Sequence, residues 1–101
     1  MSAFHSYKIQ DMFLPSNPQL LSSAIRSGRA ALKWSQAELS EKSGVSMPTI
    51  ARIETGLISP RMETIGLLFA AMSGAGVEFE WPSALMGYVM RADFGHSGAV
   101  E

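Results

Sequence analysis

The sequence predicts a mainly α protein, a bundle of four to five helices followed by a C-terminal β-hairpin, and three observations predict it. The stretch Ser35 to Gly56, SQAELSEKSGVSMPTIARIETG, carries two helix starts, one forced turn and one helix stop at close spacing. On either side of it apolar residues recur at helical intervals, Leu21, Ile25 and Leu32 before, and Ile65, Leu68, Phe69 and Met72 after. From Val77 the period changes from helical to two, the mark of half-buried strands.

Each element follows from local chemistry. Residues 1–18 hold SYKIQDMFL and a Pro15 to Pro18 break, which read as an arm containing a short strand or as a disordered tail. Helix one is expected over Pro18 to Leu32, with Arg26, Arg29 and Lys33 mostly off its apolar stripe. In the central stretch Ser35 and Glu38 form a capping box: the Ser35 hydroxyl accepts the Glu38 amide, and the Glu38 side chain accepts the Ser35 amide. A second helix therefore starts at Gln36 and stops at Gly44, where glycine takes a positive φ without Cβ strain. Ser46 then caps a third helix beginning near Met47. Pro48 is tolerated in its first turn, and Gly56 ends it. Leu39, Val45, Ile50 and Ile53 supply the apolar contacts of this pair, and Ser40 is small enough for a close crossing. After the loop LISPR a fourth helix runs to about Ser73–Gly76.

In VEFEW, Val77, Phe79 and Trp81 share one face and Glu78 and Glu80 the other. After the loop PSALMG, Tyr88, Met90, Ala92 and Phe94 alternate with Val89, Arg91 and Asp93, so the two runs pair as a hairpin over 77–94. Residues 95–101 read as a frayed tail. An isolated hairpin is marginal in water, so its apolar face must cover the helices or meet another chain.

At 101 residues and 47% hydrophobic content the chain is expected to make one domain with a single core. The absence of cysteine excludes a disulfide framework and thiolate metal sites and suits a reducing compartment, so the cytoplasm is expected. The first residues lack the charged start and unbroken apolar run of a signal peptide, and no apolar run approaches the ~20 residues of a membrane helix, so a soluble protein is expected. Net charge is −1 but uneven: the segment 26–61 holds Arg26, Arg29, Lys33, Lys42, Arg52 and Arg61 against Glu38, Glu41 and Glu54, net +3. That distribution fits a footprint for phosphate, and it also fits ordinary surface scatter. Enzymatic chemistry is not expected. His5 and His96 lie near the chain ends, no carboxylate pair or phosphate-cradling glycine loop is evident, and no metal or cofactor set can be assembled.

Residues from about Leu21 to Gly76 resemble the Cro/C1-type helix-turn-helix domain, the XRE family of transcriptional regulators that includes the lambdoid phage repressors. The resemblance rests on the SQAELS start, the GVS turn, the ending TIARIETG, the Pro60 loop and the helix ETIGLLFAA. It implies a lambda-repressor-like bundle with a DNA-binding domain over 19–76. The hairpin over 77–94 resembles an extension found in small members of the family and stands as the expected dimerisation element.

The resemblance also implies roles. Gln36 matches the position where a side chain and the free amides of a helix start meet a DNA phosphate. Ser46, Met47, Pro48, Thr49 and Arg52 match the face that enters the major groove, with Arg52 able to take guanine O6 and N7 together, and Arg61 matches a phosphate contact. Arg29 and Glu54 match a structural ion pair beneath that face. Met47 and Pro48 depart from the polar residues of many relatives and cannot donate a hydrogen bond to a base edge, which leaves thymine-methyl contact to them and polar readout to Ser46, Thr49 and Arg52.

The expected function is a sequence-specific, double-stranded-DNA-binding regulator, a repressor acting as a homodimer through Phe79, Trp81, Tyr88, Met90 and Phe94, unless these residues only close one protomer's core. Two alternatives use the same fold: a protein-binding antiactivator or adaptor that docks on another regulatory protein, and an antitoxin that represses its own promoter.

Overall fold

The computed structural model describes residues 17–83 and 87–94 of the chain. Four helices and one hairpin follow in order: α1 Pro18–Leu32, α2 Gln36–Ser43, α3 Met47–Glu54, α4 Met62–Gly74, β1 Val77–Ser83 and β2 Gly87–Ala92. The arm's Tyr7, Ile9 and Phe13, the histidines His5 and His96, and the tail lie outside the described residues.

The caps explain where the helices begin and end. Asn17 accepts the Gln19 amide at 2.8 Å and Pro18 opens α1. The capping box of α2 closes at both ends, Glu38 N–H to Ser35 Oγ at 3.0 Å and Ser35 N–H to Glu38 Oε1 at 2.7 Å. Gly44 stops α2 at φ +80°, Ser46 caps α3, and Gly56 turns the chain at φ +77°. The end of α1 has no glycine: Lys33 itself takes the left-handed conformation, φ 60°, with its N–H on the Ala30 carbonyl at 3.1 Å.

One core joins the four helices and β1, with Tyr88 and Met90 of β2 packed against it. Leu21, Ala24 and Ile25 of α1, Leu39 of α2, Val45, Ile50 and Ile53 of the motif, Ile65, Leu68, Phe69 and Met72 of α4, and Val77 and Phe79 of β1 are buried in it. Leu32, the last residue of the expected α1 stripe, only flanks this core.

The hairpin is antiparallel with Val77 opposite Ala92, Phe79 opposite Met90 and Glu80 opposite Val89. Here the structure corrects the sequence reading in extent. β1 continues through Pro82 to Ser83, and the register shifts between Glu80 and Ser83. A proline cannot donate to a ladder, so it sits where the pairing is irregular. The hairpin's inner face lies on the helices: Phe69 packs in tilted geometry against Phe79 (5.1 Å between centroids) and Trp81 (5.9 Å), and Tyr88 meets Phe79 at 5.6 Å. The Tyr88 hydroxyl reaches α1, hydrogen-bonded to Ser23 at 2.6 Å and to Ser27 at 3.1 Å.

That packing corrects part of the expected interface. Phe79 is 6% exposed and belongs to the protomer's own core, because its strand position faces Phe69. Trp81, Tyr88 and Met90 are half-buried against the same core. Phe94 alone among the five is open, at 55% exposure.

Candidate nucleic-acid interface

The surface of interest is built on Glu54, the last residue of α3, only 6% exposed in its side chain. Arg29 of α1 grips its carboxylate with both prongs, Nε to Oε2 at 2.8 Å and Nη2 to Oε1 at 2.9 Å, while Arg29 Nη1 donates to the Trp34 carbonyl at 3.0 Å. Gln36, the first residue of α2, donates from Nε2 to the same Oε1 at 3.0 Å. One carboxylate thus ties α1, α2 and α3 together. A bidentate pair of this kind is strong because two charge-assisted bonds form in one plane. The hydrogen bond to Glu54 raises the Arg29 pKa above its ordinary value, against a smaller lowering by burial.

The backbone carbonyl of Glu54 is engaged as well. It accepts from Ser22 Oγ at 2.9 Å and from Arg26 Nη1 at 2.7 Å, and Arg26 also donates to Ser22 Oγ. A guanidinium on a terminal helix carbonyl satisfies an orphan acceptor and complements the negative end of the dipole. Arg26 therefore holds the rear of α3. Two of the six basic residues in the central segment, Arg26 and Arg29, serve the frame rather than the exposed face. Sequence gave no signal for the Arg26 bond, since its acceptor is a backbone oxygen 28 residues away.

At the front of α3, Ser46, Met47, Pro48 and Arg52 are exposed and Thr49 is half-exposed. Their hydrogen bonds divide the work. Ser46 Oγ accepts the Thr49 amide at 3.4 Å and donates to Thr49 Oγ1 at 2.9 Å. Having given its only proton, Ser46 is committed to capping. Thr49 Oγ1 also receives a long 3.5 Å contact from Arg52 Nη2, so as an acceptor it keeps its own proton to donate outward. Arg52 makes no ion pair among the described residues.

Between α3 and the start of α4 lies an open cleft of about 420 Å³ whose walls include Thr49, Arg52, Ile58, Pro60, Arg61 and Thr64. It brings Arg52 and Arg61 to one concavity although nine positions separate them in sequence. Arg61 is the N-cap residue of α4, exposed, with a donor-only guanidinium that cannot cap the helix amides. The loop beside it shows Leu57 at 81% exposure. Lys42 of α2 sits over the Trp34 ring, 5.8 Å from its centroid.

The expected residues thus fall in three places. Met47, Pro48, Thr49, Arg52 and Arg61 share the exposed face of α3 and its cleft. Gln36 stands at the start of α2 with one amide hydrogen held by Glu54, and Ser46 is occupied as a cap. Among the described residues no group of three or more His, Cys, Asp or Glu could hold a metal ion, and no helix is long and apolar enough to cross a membrane. A family model described as Helix-turn-helix matches residues 25–73. No curated protein and no solved structure gives a significant match to the chain.

Proposed function

We propose that the chain is a homodimeric repressor that lays α3 in the major groove of an operator half-site, since residues 25–73 match a Cro/C1-type helix-turn-helix model of the XRE family, a family of DNA-binding transcription regulators. The observation that carries this reading is the division of α3 into a tied rear and an open front. Its C-terminal end is fixed through Glu54 to α1 and α2. Its N-terminal face offers Thr49 and an unpaired Arg52.

In the proposed complex Arg52 takes a guanine edge, Thr49 donates its free hydroxyl proton, and Met47 and Pro48 lie against thymine methyl groups. Gln36 meets a phosphate with its second amide hydrogen, beside the free amides of α2, and Arg61 meets another across the cleft. The cytoplasm is the matching location. One such module makes few base contacts, so two act together on half-sites ~34 Å apart under two-fold symmetry.

The test is selection of bound fragments from random DNA followed by salt titration of the winner. Enrichment of a palindromic motif, with affinity falling steeply with salt, is the expected result. The protein-binding alternative draws on Met47, Pro48 and Leu57, all apolar and exposed. Failure to enrich any motif, together with salt-insensitive binding to another regulator, would favour it.

A further inference from the structure

Two features beside α1 have no occupant among the described residues. The first is the outer edge of β2. The pairs Glu78–Arg91 and Glu80–Val89 continue to a bond from the Asp93 N–H to the Gly76 carbonyl at 2.7 Å, so Val89, Arg91 and Asp93 turn their ladder groups toward β1. The N–H and C=O groups of Tyr88, Met90 and Ala92 then point away from β1, and among the described residues no backbone group meets them. The second is an open cavity of about 290 Å³ between the end of α1 and Phe94, lined by Ala31, Leu32, Lys33 and Phe94.

Position selects what covers them. The Tyr88 hydroxyl is bonded to Ser23 and Ser27, whereas Phe94 shares its cavity with residues 31–33. β2 therefore runs alongside α1 in the same direction, with its start nearer to Asn17. The chain that precedes Asn17 enters at that end, so if it lies on β2 it runs antiparallel. Its sequence, SYKIQDMFL, places Tyr7, Ile9 and Phe13 on one face at period two.

We propose that residues 7–13 pair with β2 of the same chain as a third strand, Tyr7 opposite Phe94, Ile9 opposite Ala92 and Phe13 opposite Tyr88. The apolar face of the arm then continues the inner face of the hairpin, and Tyr7 falls at the cavity. Lys8 stands opposite Asp93, and Met12 covers Val89, which is 47% exposed. The connection is long enough: Ser23 lies ~9 Å along α1 from Asn17, and the four steps from Phe13 to Asn17 span up to ~13 Å. Other registers fail. A slip of one residue turns Tyr7, Ile9 and Phe13 outward. A slip of two toward Gly87 sets Lys8 opposite Arg91, and like charges there destabilise. A slip of two the other way carries Phe13 ~7 Å further from Asn17, beyond that span. The arm also has what β2 lacks as an edge. The one charge of β2, Arg91, is paired to Glu80, whereas the arm brings Lys8, an inward-facing Asp11 and Pro15 just past its end. None of this depends on the DNA-binding reading.

Amide exchange of the full chain, followed residue by residue by NMR, is the test. The Tyr88, Met90 and Ala92 amides are expected to exchange slowly. Ile9→Pro, which removes a donor in the middle of the arm, is expected to speed them roughly tenfold or more while Val89, Arg91 and Asp93 stay protected by β1. Edge amides that exchange fast in the wild type overturn the proposal. Slow ones that I9P leaves slow also overturn it, and assign the edge to another occupant. The chain contains no cysteine, so Met12→Cys with Val89→Cys introduces two thiols. They stand at a non-hydrogen-bonded pair, ~4.5 Å between Cα atoms, inside the range a disulfide spans. Mild oxidation is expected to link them within one chain, and to leave a Gln10→Cys, Val89→Cys control largely reduced. Equal linking of both double variants, or linking between two chains, overturns pairing within the chain.

Discussion

Glu54 receives three donors on its carboxylate and two on its carbonyl, drawn from α1 and α2, and this makes Arg29 the most consequential basic residue in the fold. Arg29→Ala leaves a buried carboxylate held by Gln36 alone. Breaking one side of a buried pair costs ~3–5 kcal/mol, a large share of a small domain's stability. Urea unfolding of that variant should show the loss directly, and an unchanged midpoint would refute a structural role. The pair is also insensitive to practical pH on its basic side. A pKa raised in the folded state contributes stability below the unfolded value and loses it only as pH climbs past the folded one, which for Arg29 lies above the ordinary arginine range. Arg52→Ala should behave oppositely. It is exposed and unpaired, so stability should hold within ~0.5 kcal/mol while discrimination at one base pair falls by ~1–3 kcal/mol, measured by comparing matched and mismatched operators. The ion-pair partners were legible in the sequence through family resemblance. The attachment of Gln36 to Glu54 was not, because a glutamine at a helix start carries no mark of which way its amide turns.

At the scale of elements, the helices were legible because their limits are set locally. Ser35 with Glu38, Gly44, Ser46 and Gly56 each act within four residues, and the observed helices obey them. Lys33 shows the limit of that logic: no sequence rule asks a lysine to take φ 60°, and α1 ends there because the chain must turn to deliver Ser35 as a cap. β1 runs beyond VEFEW to Ser83 because the register shift, a feature of pairing that no local pattern shows, admits Pro82. The junction of α4 and β1 supplies a sharper test. Gly76 has φ +107°, and a Cβ there would collide with the carbonyl oxygen of Asp93, the residue whose N–H donates to the Gly76 carbonyl at the open end of the hairpin. Gly76→Ala combines backbone strain of ~1–3 kcal/mol with that collision. It should destabilise the chain by at least this much and loosen the hairpin first, seen as early amide exchange at Asp93. Gly44→Ala, with equal handedness but open space, should cost only the conformational part, ~1 kcal/mol.

For the molecule as a whole, charge is rearranged by folding in a way the sequence total conceals. Arg29 is half-buried on Glu54 and Arg26, though exposed, is bonded to the Glu54 carbonyl, while Lys33, Lys42, Arg52 and Arg61 are exposed without such a tie to α3. The proposed footprint is thus made of few cations, and binding should be correspondingly sensitive to each. Arg61→Ala should weaken binding to all sequences alike and lower the slope of log affinity against log salt by about one per protomer. A variant that instead altered sequence preference without changing the slope would move Arg61 from phosphate to base.

The tied rear of α3 has a further consequence. The ties that hold this helix to α1 and α2 and in the core lie at Ile50, Ile53 and Glu54, whereas Met47, Pro48, Thr49 and Arg52 make contacts only within the motif. The two sets of residues can vary independently. New target preferences can therefore arise by exchange of Met47 and Arg52 with little demand on stability, and the same separation makes the chain a scaffold on which a library of reading faces can be displayed.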